Sequence, residues 1–392
     1  MRTVGIDVHK RFAEVAVVED GEVGRLGRIA IEQFDAFAAS LRADDHVVIE
    51  STALTWSVVD VLARHAGRVT VSNPMRTKAI ASAKVKTDKV DARVLAQLGA
   101  ADFVADVWVP DRDTRALRRR IAHRQGLVRQ RTVLRNQVHG ILDRNLIRTG
   151  WATDLFGKKG RRGLADVTLP EHEQAQLECA LRLHDVVADE LARADAALAH
   201  EAFARPEVRR LMTIPGVGWV TALAMCALVG DIARFPSGRH LTGYLGLDPR
   251  VRQSGPRPAR TGHISRQGQA HARGLLIEAA HSAIRTPGPL RAFYRRVKGR
   301  RGTQVALVAT ARKLAVLCWQ LLISGEEYRF QAPTLTARKH RALQLLAGDG
   351  GTPIARSNHP KRDELERRIL EQTEHNYRSL VAARNGPGRA EG

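Results

Sequence analysis

Three strand patterns in quick succession open the chain, over residues 3–7, 12–18 and 23–31, the last two joined by the turn Glu19-Asp20-Gly21. Connections this short make a hairpin-linked meander. The pattern then switches to alternation of helix and strand: a helix over 34–41, an apolar strand over 46–50, a helix over 55–66, a strand over 69–72, and a helix starting near Asp88. Two of these strands end on an acid, in Gly5-Ile6-Asp7-Val8-His9 and Val47-Val48-Ile49-Glu50-Ser51. A carboxylate at the end of a buried strand is costly unless something positive meets it.

A meander followed by alternating helices and strands is the order of an RNase H-like (RuvC-like) α/β domain, expected over residues 1–108. Neighbouring strands of such a sheet carry Asp7 and Glu50. The helix that follows begins in Lys84-Val85-Lys86-Thr87-Asp88-Lys89-Val90-Asp91-Ala92-Arg93. Asp88 and Asp91 are three apart and share one face, in a first turn where the helix dipole favours negative charge. Read alone, they are a helix cap and a solvated acid among lysines. Read with Asp7 and Glu50, they complete a set of four carboxylates able to converge across the strand ends. Four such groups repel one another unless a divalent cation holds them, and an all-oxygen set suits Mg²⁺ or Mn²⁺. Two such ions can activate an attacking oxygen and stabilise a leaving one.

The 392 residues carry 63 Lys+Arg against 41 Asp+Glu, a net charge of +22, which makes a polyanion the expected partner. No apolar run is expected to span a bilayer and no signal peptide is read at the N-terminus. Cys179, Cys226 and Cys318 lack paired spacing, which fits core cysteines in a reducing cytoplasm. Residues 109–205 read as all-α. Arg112, Arg115, Arg118, Arg119, Arg120, Arg124, Arg129, Arg131 and Arg135 crowd one long helix with an apolar stripe. A break over 157–163 leads to a second helix with Leu177, Leu181, His184, Leu191 and Leu198 at near-heptad spacing. This is a helical hairpin or coiled coil, either a plain packed domain or a basic arm that holds nucleic acid and another protomer.

Residues 206–330 form a third, mostly helical unit. Thr213-Ile214-Pro215-Gly216-Val217-Gly218 resembles the turn of a helix-hairpin-helix, where N–H groups at a helix start can bind a DNA phosphate without reading bases. Further on, a basic loop over 250–260 contains one serine, Ser254, and Ser265 precedes another helix. Ser265 reads as the N-cap of that helix. Ser254 has no capping task, and nearby arginines suit it as a nucleophile toward a phosphodiester. Residues 331–392 read as a tail, with a loop over 348–360, a charged helix over 361–383 and a disordered end.

The chain resembles the DEDD transposases of bacterial insertion sequences, the bridge-RNA-guided recombinases. At the N-terminus the resemblance rests on Gly5-Ile6-Asp7-Val8-His9-Lys10, Ile49-Glu50-Ser51-Thr52 and Lys86-Thr87-Asp88-Lys89-Val90-Asp91-Ala92. On the C-terminal side it rests on Thr213-Ile214-Pro215-Gly216-Val217-Gly218, Arg234-Phe235, Gly246-Leu247-Asp248-Pro249, Gln253-Ser254-Gly255 and Ile264-Ser265-Arg266-Gln267-Gly268. It extends to about Leu322 and leaves the residues past Phe330 as a departure. The resemblance implies a metal-binding tetrad of Asp7, Glu50, Asp88 and Asp91, and a coiled-coil insertion used in oligomerisation. It also implies a C-terminal transposase domain whose catalytic serine is Ser254, with Ser265 second. It implies a homo-oligomer, dimer or tetramer, in which the tetrad of one protomer faces the serine of another. A structured RNA would select donor and target double-stranded DNA in the bacterial cytoplasm.

Two other functions fit parts of the pattern. A RuvC-like Holliday-junction resolvase would use the tetrad alone, but needs neither the long helical arm nor the Ser254 loop. A non-catalytic DNA-binding protein would need only the charge, and would leave the acids far apart or paired with buried arginines. An actin-like kinase also starts with a strand ending in Asp, but the accompanying phosphate loops are missing.

Overall fold

A computed structural model describes residues 2–80, 87–255, 258–350 and 360–384. The chain divides into two units, Met1–Asp111 and Arg112–Gly392.

In the first unit β1 (Thr3–Val8), β2 (Phe12–Glu19) and β3 (Glu22–Ala30) form the meander, followed by α1 (Phe34–Ala39), β4 (His46–Glu50), α2 (Thr55–Leu62), β5 (Arg68–Ser72), α3 (Pro74–Ile80) and α4 (Asp88–Ala100). The strand order is β3-β2-β1-β4-β5. β1 pairs antiparallel with β2 and parallel with β4, so it is the axis on which the two halves of the sheet meet. This small mixed sheet is compatible with the expected RNase H-like domain. Strand alternation gives the sheet two faces. Val4, Ile6, Val15, Val17, Val47 and Ile49 pack in the larger apolar layer with Val58, Val59 and Leu62 of α2. Ala16 and Val18 meet Ala92 and Ala96 of α4 on the other face.

The second unit is helical. α5 (Arg112–Arg144) and α7 (Glu171–Ala204) run antiparallel, joined through α6 (Lys158–Ala165). The Gly- and Lys/Arg-rich break expected over 157–163 is therefore largely a helix. Leu164 and Leu155 draw it into a cluster with Val138, Leu142 and Leu177, and that burial outweighs its poor helix propensity. Ion pairs lace α5 to α7: Arg124 Nε with Asp195, Arg120 with Glu201 at 2.5 Å, and Arg144 with Glu173 at 2.5 Å. Arg118 donates to the carbonyls of Ala227 and Leu228, both at 2.8 Å. Much of the arm's positive charge is thus consumed internally, whereas Arg119 and Arg129 stay exposed.

The main core gathers around α8 (Pro206–Leu211), α9 (Trp219–Val229), α10 (Gly238–Tyr244), the hairpin β6 (Pro249–Arg252) and β7 (Arg260–Ile264), α11 (Ala270–Ala283), α12 (Pro289–Arg301) and α13 (Thr303–Ser324). Contrary to the sequence expectation, α13 is by length and composition apolar enough to cross a membrane. Here Ala311, Leu314, Ala315 and Cys318 are buried in the helical core, and Arg312 forms an ion pair with Asp248 at 3.0 Å. The expected tail is also structured within its described part. α14 (Pro333–Leu346) buries Leu343 in the main core, and α15 (Pro360–Arg384) lies against α12. The disordered end expected beyond it falls outside the described residues.

Candidate functional site

The site in the first unit begins with register. Ile6 pairs with Ile49 across the parallel strands, so the next residues, Asp7 and Glu50, stand side by side at their C-terminal ends. Asp7 also pairs with Glu14 of β2, and Glu14 with Arg28 of β3, while Glu50 pairs with Ser72 of β5. One row across the sheet therefore reads Arg28, Glu14, Asp7, Glu50, Ser72. Gly5 fixes which face the row uses. A Cβ on Gly5 would lie 2.9 Å from the Ala96 Cα and closer still to Ala92 O and Ala96 N, so α4 sits directly against this glycine. Residues two apart on a strand share a face, so Asp7 faces the α4 side. Glu50 follows Val48 on the same side by the same alternation.

α4 brings its acids to that row. Thr87 is the N-cap, its Oγ1 accepting from the Val90 N–H at 3.4 Å. Capping therefore falls to Thr87 and not to Asp88, counter to the reading of Asp88 as a cap. Asp88 and Asp91 stand in the first turn, both half-buried. His9 links strand to helix: its Nε2 is 3.1 Å from Asp7 Oδ2 and 3.4 Å from Asp88 Oδ1. The His9 ring stacks on Phe12 with centroids 4.7 Å apart. The ligand atoms of Asp7, His9 and Asp88 lie within 4.8 Å of one another, a spacing one metal ion can bridge.

Burial and neighbouring charges of both signs set the electrostatics of the site. Asp7 is only 7% exposed, and its carboxyl is raised above the usual aspartate range, first by burial. Nearby His9 pulls it back down, while Asp88 and Asp91 push it further up. Charge from both helix acids thus reaches Asp7. Glu14 is 1% exposed and accepts from Arg28 Nε at 2.8 Å. Arg28 also lies 3.8 Å from Asp88 Oδ2 and 3.8 Å over the Phe12 ring. Sequence reasoning missed Glu14, Arg28 and His9. The signal for Glu14 was a lone acid in an otherwise apolar strand, and for His9 its place two residues beyond Asp7. Of the lysines around the helix start, Lys89 is exposed, while Lys84 and Lys86 lie outside the described residues.

In the second unit the basic loop expected around Ser254 is a β-hairpin. Ser254 is exposed between β6 and β7, ahead of Gly255 at φ +62°. Asp248 anchors the hairpin base. Its carboxylate accepts from Thr242 Oγ1 at 2.8 Å, and its carbonyl accepts from the Ser265 N–H at 2.8 Å. Ser265 does not cap the following helix, because α11 starts at Ala270 with Gln269 as its N-cap. Three residues of loop plus the cap separate the serine from the helix, and Ser265 is instead the residue that closes the hairpin.

The Pro-Gly turn joins α8 to α9 as read. Gly216 is at φ +84°, and a Cβ there would strike the α11 backbone at Ala283, 2.9 Å from its Cα. From α14, Lys339 Nζ donates to the carbonyls of Met212, Ile214 and Val217, the last two at 3.0 Å. Burial pushes this ammonium down to about 8. Thr213 Oγ1 accepts from the Tyr328 N–H at 2.9 Å. The turn's carbonyls are therefore held from inside, while the N–H groups that open α9, like those of any helix start, have no acceptor within the helix. Lys339 was invisible in the sequence because its partners are backbone atoms more than a hundred residues away.

Comparison with known proteins decides the family. A DEDD transposase model of the IS110 type matches residues 4–146, and a model of the transposase IS116/IS110/IS902 family matches residues 208–295. A probable family 20 transposase of Pseudomonas aeruginosa is 31% identical over 256 residues, 62% of this chain and 74% of that protein. The chain belongs to the IS110 family of transposases. The transposase of insertion sequence element IS1111A of Coxiella burnetii is 28% identical over 350 residues, covering 84% of this chain and 92% of its own length. A pilin gene-inverting protein of Moraxella bovis is 28% identical over 295 residues, 71% and 80% of the two chains. IS110-type members are DNA-cleaving recombinases, and the DEDD designation implies a divalent metal. The first matched segment contains Asp7, Glu50, Asp88 and Asp91, and the second contains Ser254 and Ser265.

Proposed function

We propose that this transposase cleaves and exchanges DNA strands, with Asp7, Glu50, Asp88 and Asp91 holding Mg²⁺ or Mn²⁺ and Ser254 as the nucleophile, the acids of one protomer serving the serine of another. The observation that supports the reading best is the packing of α4 on Gly5, with the first-turn acids Asp88 and Asp91 acting electrostatically on Asp7. The cluster of two carboxylates and an imidazole, Asp7, Asp88 and His9, and the raised Asp7 carboxyl fit a divalent ion, since such an ion would offset the charge that Asp88 and Asp91 exert on Asp7. When bound, that ion supplies Lewis-acid stabilisation of charge on phosphate oxygens. The sheet order supports an RNase H-like nuclease domain.

The chain's own residues do the rest. Asp7 and Asp88 hold their carboxylates in place through His9, and Arg28 steadies Asp88 while Glu14 and Phe12 fix the guanidinium. Ser254 Oγ attacks the scissile phosphorus and loses its proton. The bond from phosphorus to the deoxyribose oxygen breaks, and that oxygen takes up a proton, leaving the DNA covalently attached to the protein. The hairpin arginines Arg250, Arg252 and Arg260 offer positive charge to the phosphate oxygens. The α8–α9 turn binds a DNA phosphate through backbone N–H groups. The reading includes a structured guide RNA and a homo-oligomer, both supported by the resemblance and, for the RNA, by the net charge of +22.

Asp88→Asn is expected to abolish strand exchange while leaving DNA affinity in place, and retained exchange would sink the tetrad. Ser254→Ala is expected to remove the covalent adduct. An adduct lost instead in Ser265→Ala would move the nucleophile to the end of β7.

A further inference from the structure

Helix α12 carries Arg291, Arg295, Arg296, Lys298, Arg300 and Arg301 and no acid. Its partner, α15, lies beyond the residues matched by either family model. The attachment centres on Glu374, 4% exposed, which accepts from Arg291 Nε at 2.7 Å, from Arg295 Nη1 at 3.2 Å and from the Gly288 N–H at 3.1 Å. A second carboxylate, Glu366, receives the Thr334 N–H at 3.1 Å at the start of α14. Between α12 and α15 lies a cleft of about 560 Å³. Arg295, Arg296 and Arg378 line it with Tyr377, over a floor of Ala292 and Val381.

We propose that this cleft binds an unpaired nucleotide of a single-stranded nucleic acid, its phosphate on the arginines and its base against Tyr377. Three arginines line the cleft, and among the described residues no carboxylate does. Glu374 meets Arg295 but neither Arg296 nor Arg378, so an excess of positive charge faces the opening. Arg296 also lies 5.5 Å over the Phe293 ring, which orders its guanidinium. The volume exceeds what a lone phosphate fills and falls in the range of small-ligand sites, about 300–1,000 Å³. An apolar floor beside an aromatic ring is what a base needs for stacking. A duplex keeps its bases paired inside, so a pocket walled by two helices admits a base only from an unpaired strand. Unpaired DNA and unpaired RNA present the same phosphate and base, and the test separates them. This inference rests on the reading that the protein handles nucleic acid, but not on the tetrad.

The test is fluorescence anisotropy with labelled oligo(dT) and oligo(U) across a salt series, on the full chain. Arg296 and Arg378 are exposed, so Arg296→Ala/Arg378→Ala leaves the fold intact, as circular dichroism and a thermal melt will verify. The double variant is expected to bind the single strand at least about tenfold more weakly, with a salt slope lower by about 1.4 for two lost phosphate contacts. Tyr377→Ala is expected to weaken binding roughly five- to 150-fold, with Tyr377→Phe restoring it. The ratio of oligo(U) to oligo(dT) affinity identifies RNA or DNA as the occupant. Unchanged affinity and salt slope in the double variant, or equal losses in Tyr377→Phe and Tyr377→Ala, would overturn the site. Asp88→Asn separates the two readings: it is expected to lose exchange and keep single-strand binding at the cleft.

Discussion

Replacing Gly5 with alanine perturbs the proposed metal site without touching any of its carboxylates. The new methyl carbon would stand 2.9 Å from Ala96 Cα and closer to Ala92 O and Ala96 N, all backbone atoms of α4. Side-chain movement cannot relieve such a clash, so α4 must lift from the sheet by roughly 1 Å to restore ordinary contact. Overpacking of this kind costs about 1–3 kcal/mol, measurable by urea denaturation. The larger effect is geometric, because Asp88 and Asp91 ride on the first turn of the helix that moves, Asp88 one turn before Ala92 and Asp91 directly before it. A displacement of about 1 Å is enough to lower a positioned reaction about 10²-fold. The assay is single-turnover cleavage of an element-end DNA, run beside a binding measurement. Cleavage is expected to fall by about two orders of magnitude with DNA affinity unchanged, and Ala96→Gly is expected not to rescue it, since the atoms struck are backbone. Wild-type cleavage in a stably folded Gly5→Ala protein would refute the placement of α4 as the support of the site.

Asp7→Asn is expected to raise the melting temperature of the metal-free protein at neutral pH. With its carboxyl raised in the folded state, Asp7 binds more proton folded than unfolded, so its contribution to stability falls as pH climbs from the ordinary aspartate value to the raised one. The wild type should therefore lose stability over that window more steeply than Asp7→Asn in a pH series of thermal melts. Lys339→Met removes the ammonium that donates to the Met212, Ile214 and Val217 carbonyls, of which Ile214 keeps the Val217 N–H, and is expected to cost about 1–3 kcal/mol in chemical denaturation. Because the folded ammonium titrates near 8, its burial penalty is fully present below that pH and fades from there towards 10.5, so wild-type stability should rise over this interval relative to Lys339→Met.

The sheet was legible because its strands carry strong periodic signals: β4 falls on the five residues whose apolar run marked it, and the Asp20-Gly21 turn sits between β2 and β3. Asp7, Glu50, Asp88 and Asp91 were legible as acids at element ends. Glu14 was not, because its relation to Asp7 depends on strand register, and a shift of one residue would have turned it to the other face. The β6–β7 hairpin was hidden by strands that are exposed on both faces and so show no alternation. α14 read as tail because Lys339 and Leu343, the residues that bind it to the core, stand among polar neighbours whose partners are distant in sequence. Charge was the most misleading signal in α5, where Arg118, Arg120 and Arg124 serve helix ends and the α7 acids before any nucleic acid.

The central claim, a divalent ion held where α4 meets the strand ends, is tested most directly by anomalous diffraction from crystals grown with Mn²⁺. A peak is expected about 2.0–2.3 Å from carboxylate oxygens of Asp7 and Asp88, and gone in Asp88→Asn crystals. A protein that cleaves DNA in Mn²⁺ while showing no peak at these residues would contradict it.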